Sequence, residues 1–281
     1  MAPHETTLVY LGLIALGFVV GTYGTLIGAG GGFVLMPLLL LLYPHEDANR
    51  LTAISLAVVF FNALSGSGAY AKMKRIDFKS GLMFAAATIP GAIFGVFSTS
   101  YVSRLAFDVI FGAVMIVAGL FMVFKPKSDE EAHVSPHKRS AHEVTRILMG
   151  ADGISYEYSF NPILGIVLSV FVGFVSSFLG IGGGIVHVPA MAYLLHFPVH
   201  IATATSHFVL AIMTFTGTLV HIWTGSFHHG AHRAAALAIG VLPGAQLGAY
   251  LSNKIKGSWI IRGLALALVL VGIRILIAAF W

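Results

Sequence analysis

The chain has 281 residues, of which 57% are hydrophobic and only 10% charged, and its mean hydropathy is +0.90. A soluble domain carries roughly 25% charged residues, so this chain cannot cover a water-facing surface and reads as an integral membrane protein. The net charge of +5 rests on 16 scattered basic residues, which leaves no basic face for nucleic acid, and the absence of cysteine excludes disulfides, thiol catalysis and thiolate metal sites.

Met1 to Thr7 contains no Lys or Arg. A secretory signal has a basic start and a cleavage site, so the first apolar run is expected to stay in place as a membrane helix. A helix needs about 20 apolar residues to cross the hydrocarbon. In chain order Leu8–Ile27, Leu51–Ala71, Ser80–Thr99, Leu105–Phe124, Pro162–Leu179, Ile201–Trp223, Ala234–Leu251 and Trp259–Phe280 qualify. Two shorter pieces, Phe33–Tyr43 and Ile185–His196, each follow a glycine cluster and reach about half the bilayer if straight. Whether they cross or re-enter separates ten segments from eight.

The basic residues favour ten. If every segment crosses, Lys72, Lys74, Arg75, Lys79, Lys125, Lys127, Lys138, Arg139, Arg146, Lys254, Lys256 and Arg262 share one side, 12 in all, against Arg50, Arg104 and Arg233 on the other. Basic loops stay in the cytoplasm, so both termini are expected outside. The polar stretch 125–160, with His133, His137 and His142, reads as a cytoplasmic linker between membrane units 1–124 and 161–281, with a short surface helix near Glu143–Met149.

An internal repeat is the strongest signal. Gly28-Ala-Gly30-Gly31-Gly32-Phe-Val-Leu-Met-Pro37 aligns without a gap on Gly180-Ile-Gly182-Gly183-Gly184-Ile-Val-His-Val-Pro189, at an offset of 152. Thr52-Ala-Ile-Ser55 aligns on Thr203-Ala-Thr205-Ser206 at 151, and Pro90-Gly-Ala on Pro243-Gly-Ala at 153. One register persists across five segments. An odd number of segments per half inverts the second half, giving an all-α membrane protein of two inverted five-segment repeats with broken helices, the plan of secondary transporters.

Glycine clusters inside apolar runs do not continue a helix. Each glycine costs about 1 kcal/mol relative to alanine, and broken backbone within hydrocarbon is tolerated only when buried in protein or lining a polar cavity. Half-helices starting at these turns would aim unpaired N–H groups and a positive dipole end at the glycines. That is an anion cradle, built from Gly28, Gly30, Gly31, Gly32 and Gly180, Gly182, Gly183, Gly184. Close helix packing is the competing explanation. Thr52, Ser55, Thr205 and Ser206 add neutral donors, or bond carbonyls one turn back. A nucleotide loop is rejected, because no strand precedes either cluster and no Lys-Ser/Thr follows.

Ionisable residues within spans are functional candidates by default. His187 and His207 replace Leu35 and Leu56 of the first half, and could carry a coupled proton or complement an anion. Asn62 and Gln246 read as structural amides, Asp108 and Arg274 as an ion pair or snorkelling groups, and His228, His229 and His232 as a surface cluster rather than a metal site. No hydrolytic array is visible, so neither an enzyme nor a cofactor is expected.

The glycine clusters with Pro37 and Pro189, the Thr-Ala-x-Ser starts at Thr52 and Thr203, the basic loop 72–79, and Pro-Gly-Ala at Pro90 and Pro243 together resemble the TauE/SafE family of sulfite and sulfonate exporters, also called 4-toluene sulfonate uptake permeases. The resemblance covers residues 8–124 and 161–281. It implies a secondary transporter of the cell (inner) membrane that moves small sulfur-containing anions, often outward; proton coupling rests on the histidines alone. The expected partners are a small anionic substrate, the lipid bilayer and protons; a homo-oligomer is compatible with this reading. The rivals are a passive anion channel or carboxylate carrier, a histidine-based intramembrane enzyme, and a scaffold.

Overall fold

The computed structural model describes residues 3–124, 143–151, 153–227, 230–252, 254 and 257–280. Helices α1 (Pro3–Leu26), α2 (Gly32–Leu42), α3 (Ala48–Lys72), α4 (Phe78–Thr99) and α5 (Arg104–Phe124) form the first half. Strands β1 (Val144–Met149) and β2 (Ser155–Phe160) follow. The second half has α6 (Pro162–Leu179), α7 (Gly184–Pro189) continued by a wide turn over Ala190–Leu194, α8 (Val199–Trp223), α9 (Ala231–Ser252) and α10 (Gly257–Phe280). Among the described residues seven helices are long and apolar enough to cross a membrane, namely α1, α3, α4, α5, α6, α8 and α9. Gly32–Leu42, Gly184–Leu194 and Leu268–Ala279 are shorter apolar helical stretches. The chain is a multi-pass membrane protein.

Without a hydrophobic drive between helices in lipid, close backbone approach decides which helices pair. Glycines set it here. A methyl group at Gly244 or Gly248 of α9 would strike the carbonyl of Phe18 or Thr22 on α1; one at Gly91 or Gly95 of α4 would strike that of Val170 or Phe174 on α6. These two packings correspond residue for residue under the repeat. The same correspondence holds inside: Gly28 lies against Thr203 and Gly180 against Thr52, while Gly66 faces His207 and Thr25 where Gly217 faces Leu56 and Ser177. Helices α3 and α8 pair at the centre, and 72% of each apolar window is buried, against 28% for α1 and α5.

The loops gather at two ends. At one end Arg104 donates to the carbonyls of Leu40 (3.0 Å) and Glu46 (2.8 Å), Asn49 donates to Ser226 (2.9 Å), and Arg233 reaches Glu46 (3.3 Å) while lying 4.0 Å over the Tyr43 ring. At the other end Asp77, the β-hairpin, Phe197 and the start of α8 meet. The stretch after α7 therefore returns to the end from which α6 sets out, since the Phe197 ring packs against Phe160 at 4.9 Å.

The hydrogen bond from Arg50, supported by Arg233, holds the Glu46 carboxyl below its usual range. A depressed carboxyl contributes stability above its ordinary pKa and loses it as pH falls through the lowered value. Acidification should therefore loosen this part-buried cluster, and Glu46→Gln should flatten that part of a thermal-midpoint profile between pH 6 and 3.

One expectation is corrected. The segment around Glu143–Met149 is not a helix: Val144–Met149 is a strand paired antiparallel with Ser155–Phe160. In the described part of the stretch 125–160, Tyr158 and Phe160 of the hairpin are buried, and Phe160 meets Phe84 of α4; apart from this hairpin the described elements are helical. Burial of alternate side chains of β2 favours strand over helix. Residues 125–142, with His133, His137 and His142, lie outside the described residues, as do His228 and His229.

Candidate site at the paired glycine turns

Each turn forms because its glycines take left-handed backbone that other residues resist. Gly28, Gly30 and Gly31 have φ of 76°, 75° and 79°; Gly180, Gly182 and Gly183 have 69°, 80° and 83°. The turns are anchored alike. The N–H groups of Ala29 and Gly30 donate to the Gly24 carbonyl (2.8 and 3.1 Å), and that of Ile181 donates to the equivalent Ser176 carbonyl (3.1 Å). Helix α2 then starts at Gly32 with no side-chain cap on its first N–H groups, and α7 at Gly184 likewise.

The two turns touch. A methyl group at Gly32 would run into the Ile181 carbonyl, and one at Gly184 into the Gly28 carbonyl and Ala29. Val59 and Leu210, themselves a repeat-related pair, fill the space beside Gly30 and Gly182. Every residue from Gly28 to Phe33 and from Gly180 to Ile185 is buried. The glycines thus serve close packing as well as the turn.

The hydroxyls divide. Ser55 donates to the Gly180 carbonyl of the opposite turn at 2.5 Å, and Thr205 accepts from the Asp77 N–H at 3.0 Å, which gives it a structural partner at the hairpin end. Thr52, Thr203, Ser206, Ser176 and Ser177 are buried with no partner for their side-chain oxygens. Unpartnered buried donors are costly, about 1–3 kcal/mol each, and Thr52, Thr203 and Ser176 lie directly against the glycines.

The two histidines separate. His207 belongs to the turn: its Nε2 is 3.2 Å from Thr25 Oγ1, which donates to Asn62 Oδ1 at 3.0 Å, and the Tyr70 hydroxyl donates to the Thr25 carbonyl at 2.7 Å. His207 Nδ1 is buried, and the tautomer sets whether Nε2 donates to Thr25 or accepts from it. His187 instead faces the Phe84 ring (6.0 Å between centroids), with Ser169 Oγ 3.4 Å from its Nε2. Asp108 pairs with Arg104 at 3.0 Å, one turn away, rather than with Arg274. Gln246 donates to Ser65, and Asn62 has a buried amide nitrogen without a partner. Among the described residues no group of three or more potential metal ligands exists.

Thr25, Ser176 and Ser177 are the side chains that the sequence reading passes over. Thr25 and Ser177 align at the repeat offset of 152 immediately before the two clusters, and that alignment is the signal that marks them.

A multi-pass helical protein built around two such turns belongs with membrane transporters, and comparison with known proteins agrees. The chain belongs to the family described as Sulfite exporter TauE/SafE, whose model matches residues 13–275. It is 34% identical over 270 residues to Probable membrane transporter protein YunE of Bacillus subtilis, across 94% of this chain and 96% of that protein. A probable membrane transporter protein of Methanocaldococcus jannaschii is 26% identical over 215 residues, 75% of this chain and 71% of its own length. Probable membrane transporter protein MamO of Paramagnetospirillum magneticum is 24% identical over 262 residues, but these cover only 40% of it. No solved structure matches the chain. The protein is a membrane transporter of this family and not an enzyme.

Proposed function

We propose that the protein is a secondary carrier of small sulfur-containing anions such as sulfite or sulfonates, working by alternating access between two inverted five-segment repeats in the cell (inner) membrane. In this reading α2 and α7 with its following turn complete ten segments, and both termini are extracytoplasmic. The observation that carries it is the buried meeting of the two glycine turns: an uncapped 11-residue helix α2 starts there, and the unpartnered hydroxyl residues Thr52 and Thr203 lie against Gly180 and Gly28. Backbone N–H and hydroxyl donors bind an oxyanion without a charged side chain. Gly28, Gly30, Gly31, Gly32, Gly180, Gly182, Gly183 and Gly184 line the site, and Ser55 and Thr205 hold its walls.

Equivalent contacts in the two halves, and loops gathered at two ends, support the inverted arrangement. Burial of both turns supports a carrier that occludes its site over an open channel. Protons are the coupling ion in this reading, with His207 the group placed to carry one. Export is the direction the family description favours.

Flux in proteoliposomes loaded with sulfite or a small sulfonate, with and without a pH gradient, tests this. Uphill movement driven by the gradient is expected, and Gly31→Leu should abolish it, since left-handed backbone and the Val20 carbonyl both oppose a side chain there. Downhill flux indifferent to pH would mean a passive pathway. Flux of carboxylates alone would replace the substrate class.

A further inference from the structure

The hairpin β1–β2 is the one described element with no repeat-related counterpart, and it sits where an opening would have to form. Its Tyr158 hydroxyl donates to Asp77 Oδ2 at 2.9 Å, and Arg146 lies 3.7 Å from the same oxygen and 3.4 Å from Ser80 Oγ. Asp77 in turn caps α4 through the Ser80 N–H at 3.0 Å, and its own N–H donates to Thr205 on α8 at 3.0 Å. Thr203 and His207, two residues to either side of Thr205, are the ones that lie on Gly28 and Thr25. A second tie is aromatic: the Tyr158 and Phe160 rings pack at a tilt on Phe197 at 4.5 and 4.9 Å, in the stretch joining α7 to α8, and Phe160 meets Phe84 at 5.9 Å. The Ala151 N–H donates to the Met73 carbonyl at 3.1 Å. One small sheet therefore grips the ends of α3, α4 and α8 and the exit of α7, in both halves at once. At the opposite end the closing contacts of Arg233 with Glu46 and Tyr43 come from the membrane halves themselves.

We propose that the strand pair β1–β2 is a latch: its Tyr158–Asp77 contact holds the transporter closed on the hairpin's face, and must release before the glycine turns open to that side. This rests on the alternating-access reading above. The Tyr158 hydroxyl is suited to the task. Burial and the neighbouring Asp77 push its pKa up, so it remains a donor at any physiological pH. The latch answers to movement of α4 and α8, not to titration of the tyrosine.

The chain has no cysteine, so single reporters can be read without background. Ala204→Cys is buried near the hairpin face, and Ile54→Cys is buried under Gly230 at the opposite end. In vesicles of each orientation, Tyr158→Phe keeps the ring contact and removes only the hydroxyl. It should raise labelling of Ala204→Cys by an impermeant maleimide about fivefold, the factor one hydrogen bond commands, and lower labelling of Ile54→Cys from the other side. A rise at Ala204→Cys alone would mean local loosening and would overturn the latch, as would no change at either reporter. Cross-linking Tyr158→Cys to Phe197→Cys should stop flux, with recovery on reduction; undiminished flux while cross-linked also overturns it. If the unmodified protein moves no anion at all, the transport reading fails, and the opposed labelling changes still decide the latch.

Discussion

Leucine at Gly32 or at Gly184 should lower the thermal midpoint of the purified protein by about 10 °C and eliminate transport. Neither glycine has left-handed backbone, so the effect isolates contact from conformation. Gly32 faces the Ile181 carbonyl, and Gly184 faces Gly28 and Ala29. These are the same two turns seen from either side, and neither backbone can retreat without moving a whole repeat. Overpacking of this kind costs about 3 kcal/mol, and at this chain length each kcal/mol shifts the midpoint by about 2–4 °C. The two variants should behave alike. Gly12→Ala and Gly68→Ala supply the contrast, because nothing lies within 4 Å of the added methyl at either position; they should leave midpoint and flux unchanged. Tolerance of Gly32→Leu would mean that the turns do not meet, and the central site would have to be abandoned.

That pairing of positions explains how much could be read in advance. Positive φ and backbone contact each demand glycine outright, so both requirements leave a mark in sequence, and a duplicated site leaves it twice in one register. Helix boundaries followed for the same reason: Gly31 and Gly183 end the turns, and α2 and α7 begin one residue later. The single residue lost between the Gly and Thr-Ala motifs is visible as a joint of five residues, 43–47, against four, 195–198. The hairpin was less legible. Val144–Met149 has a composition that suits either helix or strand, and its partner carries the clearer signal, with Tyr156, Tyr158 and Phe160 alternating beyond a Gly-Ala-Asp-Gly turn. What decides between the two states is a tertiary contact, the seat formed by Phe84, Phe197 and Asp77. Hydroxyls were ambiguous for a different reason. A serine or threonine in an apolar helix can bond its own backbone, a distant carbonyl or a ligand, and sequence does not distinguish them. Ser55 and Thr205 found protein partners, while Thr52, Thr203 and Ser206 did not.

The repeat also says where the halves stopped being equivalent, and this frames the second large effect. Under the register that aligns Thr52 on Thr203, His207 corresponds to Leu56, Asn62 to Met213 and Tyr70 to His221. The first turn therefore gained a polar chain of His207, Thr25 and Asn62, where the second has Leu56, Ser177 and Met213 around the equivalent glycine positions. His207→Leu converts one environment into the other. The substitution should fold, because Leu56 already occupies the matching place beside Gly217, and Thr25 keeps its bond to Asn62; the lost hydrogen bond is worth about 1 kcal/mol. In proteoliposomes this variant should retain downhill anion flux and lose accumulation against a gradient when a pH difference is imposed. His187→Phe, in a seat of Phe84 and Ser169 away from the turns, should keep both. Accumulation that survives His207→Leu but fails in His187→Phe would move the proton to α7. Survival in both would remove His187 and His207 from the proposed coupling.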